Sequence, residues 1–187
     1  MRPTRAHGGT IYVEQGGAIV HAPLTAILRS AGSRSPARKE PMEYTQASAA
    51  SIAQAQERIR GTFIGLIGLR IVEVTSERAV AEMPFIPQLQ QLTGVFHAGA
   101  LLTLADTTAT LACMYWSSGT IDGSAEQFPL TIQLSTNFIR NTNQGIVRAE
   151  AIPVHRGRTT IVVETRVSDA AGRLLMLVTT THVLVGK

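Results

Sequence analysis

The fold is decided by one stretch of the chain, GVFHAGALLTLADTTATLACMYW at residues 94–116. After Gly99 this stretch contains no Gly or Pro, and nearly all of its residues are apolar or small. Its apolar residues, Leu101 and Leu104 among them, fall around most of the circumference of a helix with 3.6 residues per turn. We therefore predict a long helix that is covered by protein on almost every side, with one carboxylate, Asp106, in its middle.

Asp106 needs an explanation, because moving an ionised carboxylate out of water without a partner costs several kcal/mol. We expect the helix to start near His97. Its first turn then presents the unpaired N–H groups of Ala98, Gly99 and Ala100 at the positive end of the helix dipole. Such amides stabilise an oxygen that becomes negative during a reaction. The structural alternative is a carboxylate tied to a backbone group or to a neighbouring Arg.

Spacing separates the two halves of this candidate site. Asp106 lies eight residues beyond Ala98, which is about 12 Å along a helix that rises 1.5 Å per residue. One carbonyl group cannot contact both. We therefore predict a homodimer with two shared sites, in which one copy supplies the helix start and the other supplies the carboxylate. Thr110, one turn after Asp106 on the same face, is placed to hydrogen-bond to the carboxylate or to an attacking water.

The remainder of residues 46–187 predicts a single domain in which one antiparallel sheet surrounds this helix. We expect an amphipathic helix over residues 48–60, packed on a sheet edge, and a polar loop over residues 84–93 at the mouth of the site. Alternating residues predict two strands before the central helix and four after it. The strands are expected over residues 63–74, 79–85, 128–140, 146–155, 159–168 and 174–185, with Leu130, Ile132 and Leu134 alternating along the third. This order is typical of an α+β fold.

The run HAGALLTLAD at residues 97–106 resembles a signature, HGG followed after six residues by an acid, of hotdog-fold thioesterases of the phenylacetic-acid-degradation (PaaI-like) and 4-hydroxybenzoyl-CoA groups. The similarity covers about residues 55–185 and includes LSTNFIR at 134–140 and HRGR at 155–158. It implies a hotdog fold, with an antiparallel sheet wrapped around a long central helix. It also implies an acyl-CoA thioesterase for small, medium-chain or aromatic acyl groups, acting as a homodimer or homotetramer with no cofactor, since coenzyme A belongs to the substrate.

The resemblance implies roles for individual residues. The N–H of Ala98 would polarise the thioester carbonyl, and Asp106 of the other protomer would act as nucleophile or general base. Gln91 matches the position where related enzymes place a Gln or Asn side chain near that carbonyl. Thr110 matches their small hydroxyl residue four positions after the acid, and His97 matches a residue that shapes the site beside the helix start.

Each of these side chains also has an ordinary structural interpretation. Gln91 fits an exposed loop amide, Thr110 fits a buried hydroxyl bonded to its own helix, and His97 fits an imidazole that caps the loop. Ala98 departs from the signature, which has Gly there. The expected contact is a backbone N–H, so a methyl group need not abolish it, although the methyl can narrow the approach or require a less usual backbone geometry.

Candidate substrate-binding residues lie at the helix start and in a predicted turn. Gly99 belongs to the first, and Arg156, Gly157 and Arg158 form the second. Two guanidinium groups flanking a glycine suit the phosphates of coenzyme A, and Arg140 is a weaker candidate of the same kind. An exposed hairpin turn with solubilising charges is the alternative.

The departure at Ala98 keeps a second function open, a non-catalytic or weakly active acyl-CoA-binding module of the same fold. A hotdog dehydratase is a remoter third, because such enzymes present an Asp and His pair on the helix that this chain lacks. The five His residues show no ligand spacing and Cys113 is the only cysteine, expected in the core, so no metal site is predicted. A reducing compartment such as the cytoplasm fits this cysteine usage, and neither a secretory signal nor a membrane span is indicated.

Residues 1–45 are not expected to belong to the domain. Residues 1–41 carry six basic and two acidic side chains, which accounts for the net charge of +4 and leaves residues 42–187 neutral. The neutral part offers no argument for nucleic-acid or membrane binding. The basic segment is predicted to be a disordered extension or the result of a start codon assigned too early, since Met42 precedes a natural-looking N terminus. An organelle-targeting peptide is the third interpretation.

Removal of residues 1–41 is expected to leave the melting temperature and thioester hydrolysis nearly unchanged, because the predicted core lies in the neutral remainder of the chain. Thermal unfolding and activity of the full chain and of residues 42–187, measured side by side, check this. A large fall in melting temperature would show that the basic segment contributes to the core.

Overall fold

The computed structural model of the protein describes residues 10–15, 18–23, 46–124 and 127–186. The chain divides into two units, Met1–Pro41 and Met42–Lys187. In the first unit, β1 (Thr10–Gln15) and β2 (Ala18–Pro23) form an antiparallel pair. The other residues of the predicted N-terminal extension, 1–45, lie outside the described residues, so its interpretation stays a prediction.

The second unit is a six-stranded antiparallel sheet with one long helix packed on it, which confirms the predicted fold class. Its helices are α1 (Ala49–Ile59), α2 (Phe63–Leu66) and α3 (Ala98–Ser118), with a 3-10 turn at Pro87–Leu89. Its strands are β3 (Arg70–Val74), β4 (Ala79–Pro84), β5 (Gln127–Phe138), β6 (Ile146–Arg156), β7 (Thr160–Ser168) and β8 (Leu174–Gly186). The strand order is β3-β4-β6-β7-β8-β5, so β3 and β5 are the edges.

The helix α3 crosses the inner face of the sheet and ends at Gly119, whose φ of 70° is in the left-handed region that favours glycine. Ten of its 21 residues are buried. The expectation of cover on almost every side is wrong for the single chain, because the sheet meets α3 from one side only. A stripe of residues three or four apart stays accessible, and it includes Gly99, Leu102, Thr103, Asp106 and Thr110.

The predicted helix at residues 48–60 is confirmed as α1, capped by Ser48 and packed on the edge strand β3. The Gln56 side chain accepts a hydrogen bond from the Ile71 N–H and donates one to the Leu69 carbonyl, both at 2.8 Å. The expectation of a strand from residue 63 is wrong, because α2 occupies residues 63–66. A short apolar run without alternation does not separate a strand from a buried helical turn.

A β-bulge in β5 changes which of its residues face α3. The pairing with β8 shifts register between Thr131 and Gln133, so Ile132 has no partner. One extra residue reverses the alternation of side chains. Ile132 is therefore 63% exposed and Leu130 is 47% exposed, whereas Leu134 packs against the core. The predicted alternation of these three apolar residues on one face is wrong for the first two, and the bulge brings the Thr131 side chain under the helix.

The inner face of β8 carries polar side chains into a mostly apolar core. Thr180 and His182 are both fully buried. Burial lowers the pKa of His182 below its ordinary value of 6.5, and the nearby Asp106 carboxylate opposes that effect less strongly. The imidazole of His182 is therefore neutral at pH 7.

The lowered pKa of His182 predicts a loss of stability as the pH falls below its ordinary value of 6.5. In that range the unfolded chain takes up a proton that the folded protein does not, so acid favours unfolding. We expect the fall in melting temperature between about pH 7.5 and pH 5.5 to be smaller in His182→Asn than in the native protein. Equal falls in the two proteins would mean that His182 has the same pKa in the folded and the unfolded chain.

Candidate active site

His97 caps the start of α3 and leaves one amide available. The backbone of His97 is extended, with φ −65° and ψ 132°, and its Nδ1 accepts a hydrogen bond from the Gly99 N–H at 3.0 Å. The Ala100 N–H donates to the His97 carbonyl at 3.0 Å. Among the described residues, no acceptor is recorded for the Ala98 N–H. The expectation of three unpaired amides is therefore wrong for Gly99 and Ala100, and the Ala98 N–H remains as the donor for an oxyanion.

Ala98 replaces the glycine of the signature without backbone strain. Within the described part of the chain, only glycines have a positive φ, so a methyl group at this position needs no unusual geometry. Gly99 is more restricted. A Cβ there would lie 3.1 Å from Nδ1 and 3.3 Å from Cε1 of His97. Because Gly99 has no side chain, the His97 imidazole can lie close enough to accept a hydrogen bond from the Gly99 N–H.

The polar loop that was predicted at the site mouth is hydrogen-bonded to the segment leading into α3. The His97 N–H donates to the Leu89 carbonyl at 2.7 Å, and the Gln91 N–H donates to the Val95 carbonyl at 2.9 Å. These bonds place Gln91 beside the entry to the helix. Its side-chain amide donates to Thr93 Oγ1 at 2.8 Å within the loop. The backbone bonds thus keep the loop that carries Gln91 next to the segment that leads to His97 and Ala98.

Asp106 lies on the partly accessible stripe of α3 and is not buried in the single chain. Its Oδ1 accepts a hydrogen bond at 2.8 Å from Oγ1 of Thr131, which lies on the bulged strand β5. Thr131 had no place in the sequence-based hypothesis, in which Thr110 bonds to the carboxylate or to an attacking water. No hydrogen bond of the Thr110 hydroxyl is recorded in the described residues, either to Asp106 or to its own helix. The carboxylate is thus held by a strand hydroxyl.

Two more side chains continue from Thr131 into the core. His182 is the direct partner of Thr131 in the β5–β8 register, and its Nδ1 lies 3.3 Å from Thr131 Oγ1. Its Nε2 lies 2.8 Å from Thr180 Oγ1. Sequence reasoning missed this group although β8 offered a signal, because the alternation places Thr180 and His182 among inward apolar residues and buried polar groups need partners. The orientation of Thr131 had no such signal, since it depends on the bulge.

Cys113 is confirmed as a core residue and is fully buried. Burial raises the pKa of its thiol to about 12, with a smaller contribution from the Asp106 carboxylate. It therefore stays protonated at neutral pH and is no nucleophile. Over the ranges that the structure describes, no three His, Cys, Asp or Glu side chains are grouped to hold a metal ion. None of the helices in those ranges has the length and apolarity to cross a bilayer.

The turn at Arg156–Arg158 lies at the opposite end of the sheet from the start of α3. The helix start adjoins the loop before β6, where the Phe96 N–H donates to the Thr142 carbonyl at 3.0 Å. β6 then runs ten residues to Arg156, about 33 Å at 3.3 Å per residue. Arg156 pairs with Glu77, with Nη2 and Oε2 3.1 Å apart, whereas Arg158 is exposed. Within one chain, the Arg156–Arg158 turn is therefore far from Ala98.

Gly157 and Arg140 have clear local roles. A Cβ on Gly157 would lie 2.8 Å from both His155 Nε2 and the Thr160 carbonyl oxygen, so the tight turn itself requires glycine. Arg140 donates to the Leu174 carbonyl at 3.2 Å. It lies at the end of the sheet that holds the helix start, because the next side chain, Asn141, donates to the Phe96 carbonyl at 2.9 Å.

Comparisons with known proteins agree with this architecture. A family model described as the Thioesterase superfamily matches residues 93–176. The candidate esterase ComA2 of Bacillus subtilis is 34% identical over 119 residues, which cover 64% of this chain and 90% of ComA2. The 1,4-dihydroxy-2-naphthoyl-CoA hydrolase of Escherichia coli is 26% identical over 114 residues, covering 61% of this chain and 79% of that enzyme.

A solved structure shows the same fold. The crystal structure of a thioesterase from Haemophilus influenzae superposes with a TM-score of 0.67 at 19% identity, covering 78% of this chain and 96% of that one. The sequence match to ComA2 extends over nearly the whole of that relative, and the family model spans the helix start, α3 and strands β5, β6 and β7. The chain therefore belongs to the thioesterase superfamily and is a thioester hydrolase of the hotdog fold.

Proposed function

We propose that the protein is an acyl-CoA thioesterase that hydrolyses small, medium-chain or aromatic acyl-CoA to the free acid and CoA, at sites shared between two copies of the chain. One observation carries this proposal. The open Ala98 N–H and the accessible Asp106 carboxylate lie on one continuous helix, about 12 Å apart along its axis, too far to reach one carbonyl. The cytoplasm, with its reduced thiols and its acyl-CoA, is the compartment that such a substrate and a lone cysteine suit.

The accessible stripe of α3 supports a helix-to-helix contact between copies. Leu102 lies midway in sequence between Ala98 and Asp106 and belongs to that stripe. In an antiparallel pair of α3 helices that cross at Leu102, Ala98 of one copy is therefore level with Asp106 of the other. The small residues beside the crossing, Gly99 and Thr103, allow a close approach of the two helices.

The free edge of the sheet supports the same arrangement. β5 is a twelve-residue edge strand, and the outward side chains Leu130 and Ile132 at its bulge are apolar. Long exposed edges with apolar side chains pair readily with another strand. Antiparallel pairing of two β5 edges also makes the two α3 helices antiparallel. It brings the Arg156–Arg158 turn of one copy to the end of the joint sheet that holds the other helix start, where Arg158 is suited to a CoA phosphate.

The chemistry follows from the two groups at each shared site. The Ala98 N–H donates to the thioester carbonyl oxygen and stabilises its negative charge in the tetrahedral intermediate. Thr131 holds Oδ1 of Asp106, which leaves Oδ2 to take a proton from the attacking water or to attack the carbonyl carbon itself. Collapse of the intermediate breaks the C–S bond and expels CoA thiolate. In the second route water then hydrolyses the acyl–Asp106 anhydride, and neither route calls for a cofactor.

A panel of acyl-CoA esters tests the substrate class. We expect release of free thiol. We expect aromatic esters to be among those hydrolysed, because the 1,4-dihydroxy-2-naphthoyl-CoA hydrolase of Escherichia coli is a relative. Thiol release is followed by absorbance with a disulfide reagent, and Asp106→Asn is the matched control. Tight binding of these esters without turnover would instead support an acyl-CoA-binding module. That alternative was kept open by the departure at Ala98, and the unstrained backbone there weakens this reason for it.

Mixed dimers test the shared site. We expect Asp106→Asn to keep the fold and to lose about 10²- to 10⁴-fold in kcat. We expect Ala98→Pro to lose about 10²- to 10³-fold, because proline removes the N–H, while it is tolerated as the first residue of a helix and after an extended residue such as His97. Ala98→Gly keeps the N–H and is the control. Co-expressed Asp106→Asn and Ala98→Pro chains should recover about a quarter of native activity, since half of random dimers are hybrids with one intact site.

Hybrid formation is verified with two different affinity tags before activity is measured. Isolated hybrid dimers without recovered activity would show that each site lies within one chain. Full activity of folded Asp106→Asn would remove the carboxylate from the mechanism altogether.

A further inference from the structure

Three side chains connect Asp106 with the protein interior. Thr131 Oγ1 lies 2.8 Å from Asp106 Oδ1, and His182 Nδ1 lies 3.3 Å from Thr131 Oγ1. Thr180 Oγ1 lies 2.8 Å from His182 Nε2. Thr180 and His182 are fully buried, whereas Asp106 belongs to the accessible stripe of α3. This polar connection therefore begins in the core and ends at the proposed reacting group.

Its hydrogen bonds run in one direction. An ionised carboxylate only accepts, so the Thr131 hydroxyl gives its single hydrogen to Asp106. The Thr131 oxygen then accepts from His182, which requires a proton on Nδ1. Burial lowers the pKa of His182, so the ring is neutral and its Nε2 has a lone pair. That nitrogen accepts from the Thr180 hydroxyl. Each of the three polar side chains thus has one defined role.

Two features of the fold assemble this connection. Thr131 and His182 are directly opposed in the β5–β8 register, and the bulge immediately after Thr131 turns its side chain towards α3. Thr180 lies two residues before His182 on the same strand and therefore on the same face. A hydroxyl alone can rotate among several acceptors. When a neutral imidazole donates to the Thr131 oxygen, the hydrogen of the Thr131 hydroxyl stays directed at Asp106.

We propose that His182 is a positioning residue for Asp106 and acts through Thr131, with Thr180 holding the imidazole in the tautomer that this requires. The proposal rests on the proposed function, in which Asp106 acts on the thioester. Holding Oδ1 leaves Oδ2 in one orientation towards the substrate, and such preorganisation raises kcat because the reacting groups are already aligned. His182 does not contact the substrate, so its effect falls on kcat and leaves KM nearly unchanged.

Paired substitutions test the kinetic part. Thr131→Val removes the hydroxyl at nearly constant shape, whereas Thr131→Ser retains it. His182→Leu removes both ring nitrogens, whereas His182→Asn keeps an N–H at the position of Nδ1. We expect kcat to fall about 10- to 100-fold in Thr131→Val and His182→Leu, with KM unchanged, and to recover to within a few-fold of native in Thr131→Ser and His182→Asn. Melting temperatures and circular dichroism confirm that each variant is folded.

Nitrogen-15 NMR of the imidazole rings tests the structural part without measuring activity. The spectrum distinguishes a protonated ring nitrogen from an unprotonated one, and the His182 signals are assigned by their loss in His182→Asn. We expect a neutral ring at pH 7 with the proton on Nδ1. A proton on Nε2 would overturn the proposal, because Nδ1 would then accept the Thr131 hydrogen and Asp106 would lose it.

The outcomes separate this inference from the proposed function. If Asp106→Asn is inactive while folded Thr131→Val and His182→Leu have native kcat, the positioning role is wrong and the thioesterase site stands. If folded Asp106→Asn retains native turnover, the proposed shared site of Ala98 and Asp106 fails although hydrolysis stands, and the positioning role fails with it even when the tautomer is as expected. Should His182→Leu not fold, the Thr131 pair and the NMR spectrum decide.

Discussion

The packing of α3 on one face of the antiparallel sheet is the interaction on which the rest of this structure depends. A helix that is apolar around most of its circumference is stable only when it is covered, and the sheet covers it from one side. The remaining stripe holds small residues, one leucine and the only carboxylate of the helix. The single chain thus leaves the acid where a second molecule or a substrate can reach it. The proposed dimer follows from this incomplete cover.

The start of α3 shows how one residue leaves a single amide open among several. A helix start has up to four unpaired N–H groups, and any of them could bind an oxyanion. His97 accepts from Gly99 with its ring and from Ala100 with its carbonyl. Capping of this kind typically contributes about 1 kcal/mol to stability. The same contact that stabilises the helix therefore leaves the Ala98 N–H as the donor, and the missing side chain at Gly99 makes room for the ring.

The environment of Asp106 depends on a local irregularity in a neighbouring strand. Without the bulge, the alternation that places Leu134 inward would put Ile132 opposite α3 and turn Thr131 to the outside. One unpaired residue reverses this and supplies a hydroxyl to the carboxylate. Burial of His182 would be costly if its nitrogens lacked partners. The Thr131 and Thr180 hydroxyls satisfy both nitrogens, so the polar group is accommodated inside an apolar core.

The sequence by itself determined the long helix, its start near His97, the α+β class, the succession of strands along the chain and the distance between Ala98 and Asp106. These features follow from periodicity and spacing along the chain, which depend on neighbouring residues only. Tertiary structure alone decided that Ala98 keeps its N–H open, that Thr131 and not Thr110 holds Asp106, that residues 63–66 form a helical turn, and that the Arg156–Arg158 turn lies far from the helix start. The contact of Thr131 and the place of the turn depend on distant segments, through a bulge and the register of paired strands, and local pattern carries no information about them. The His97 cap and the helical turn are local contacts, but a short run of residues is compatible with more than one such local conformation.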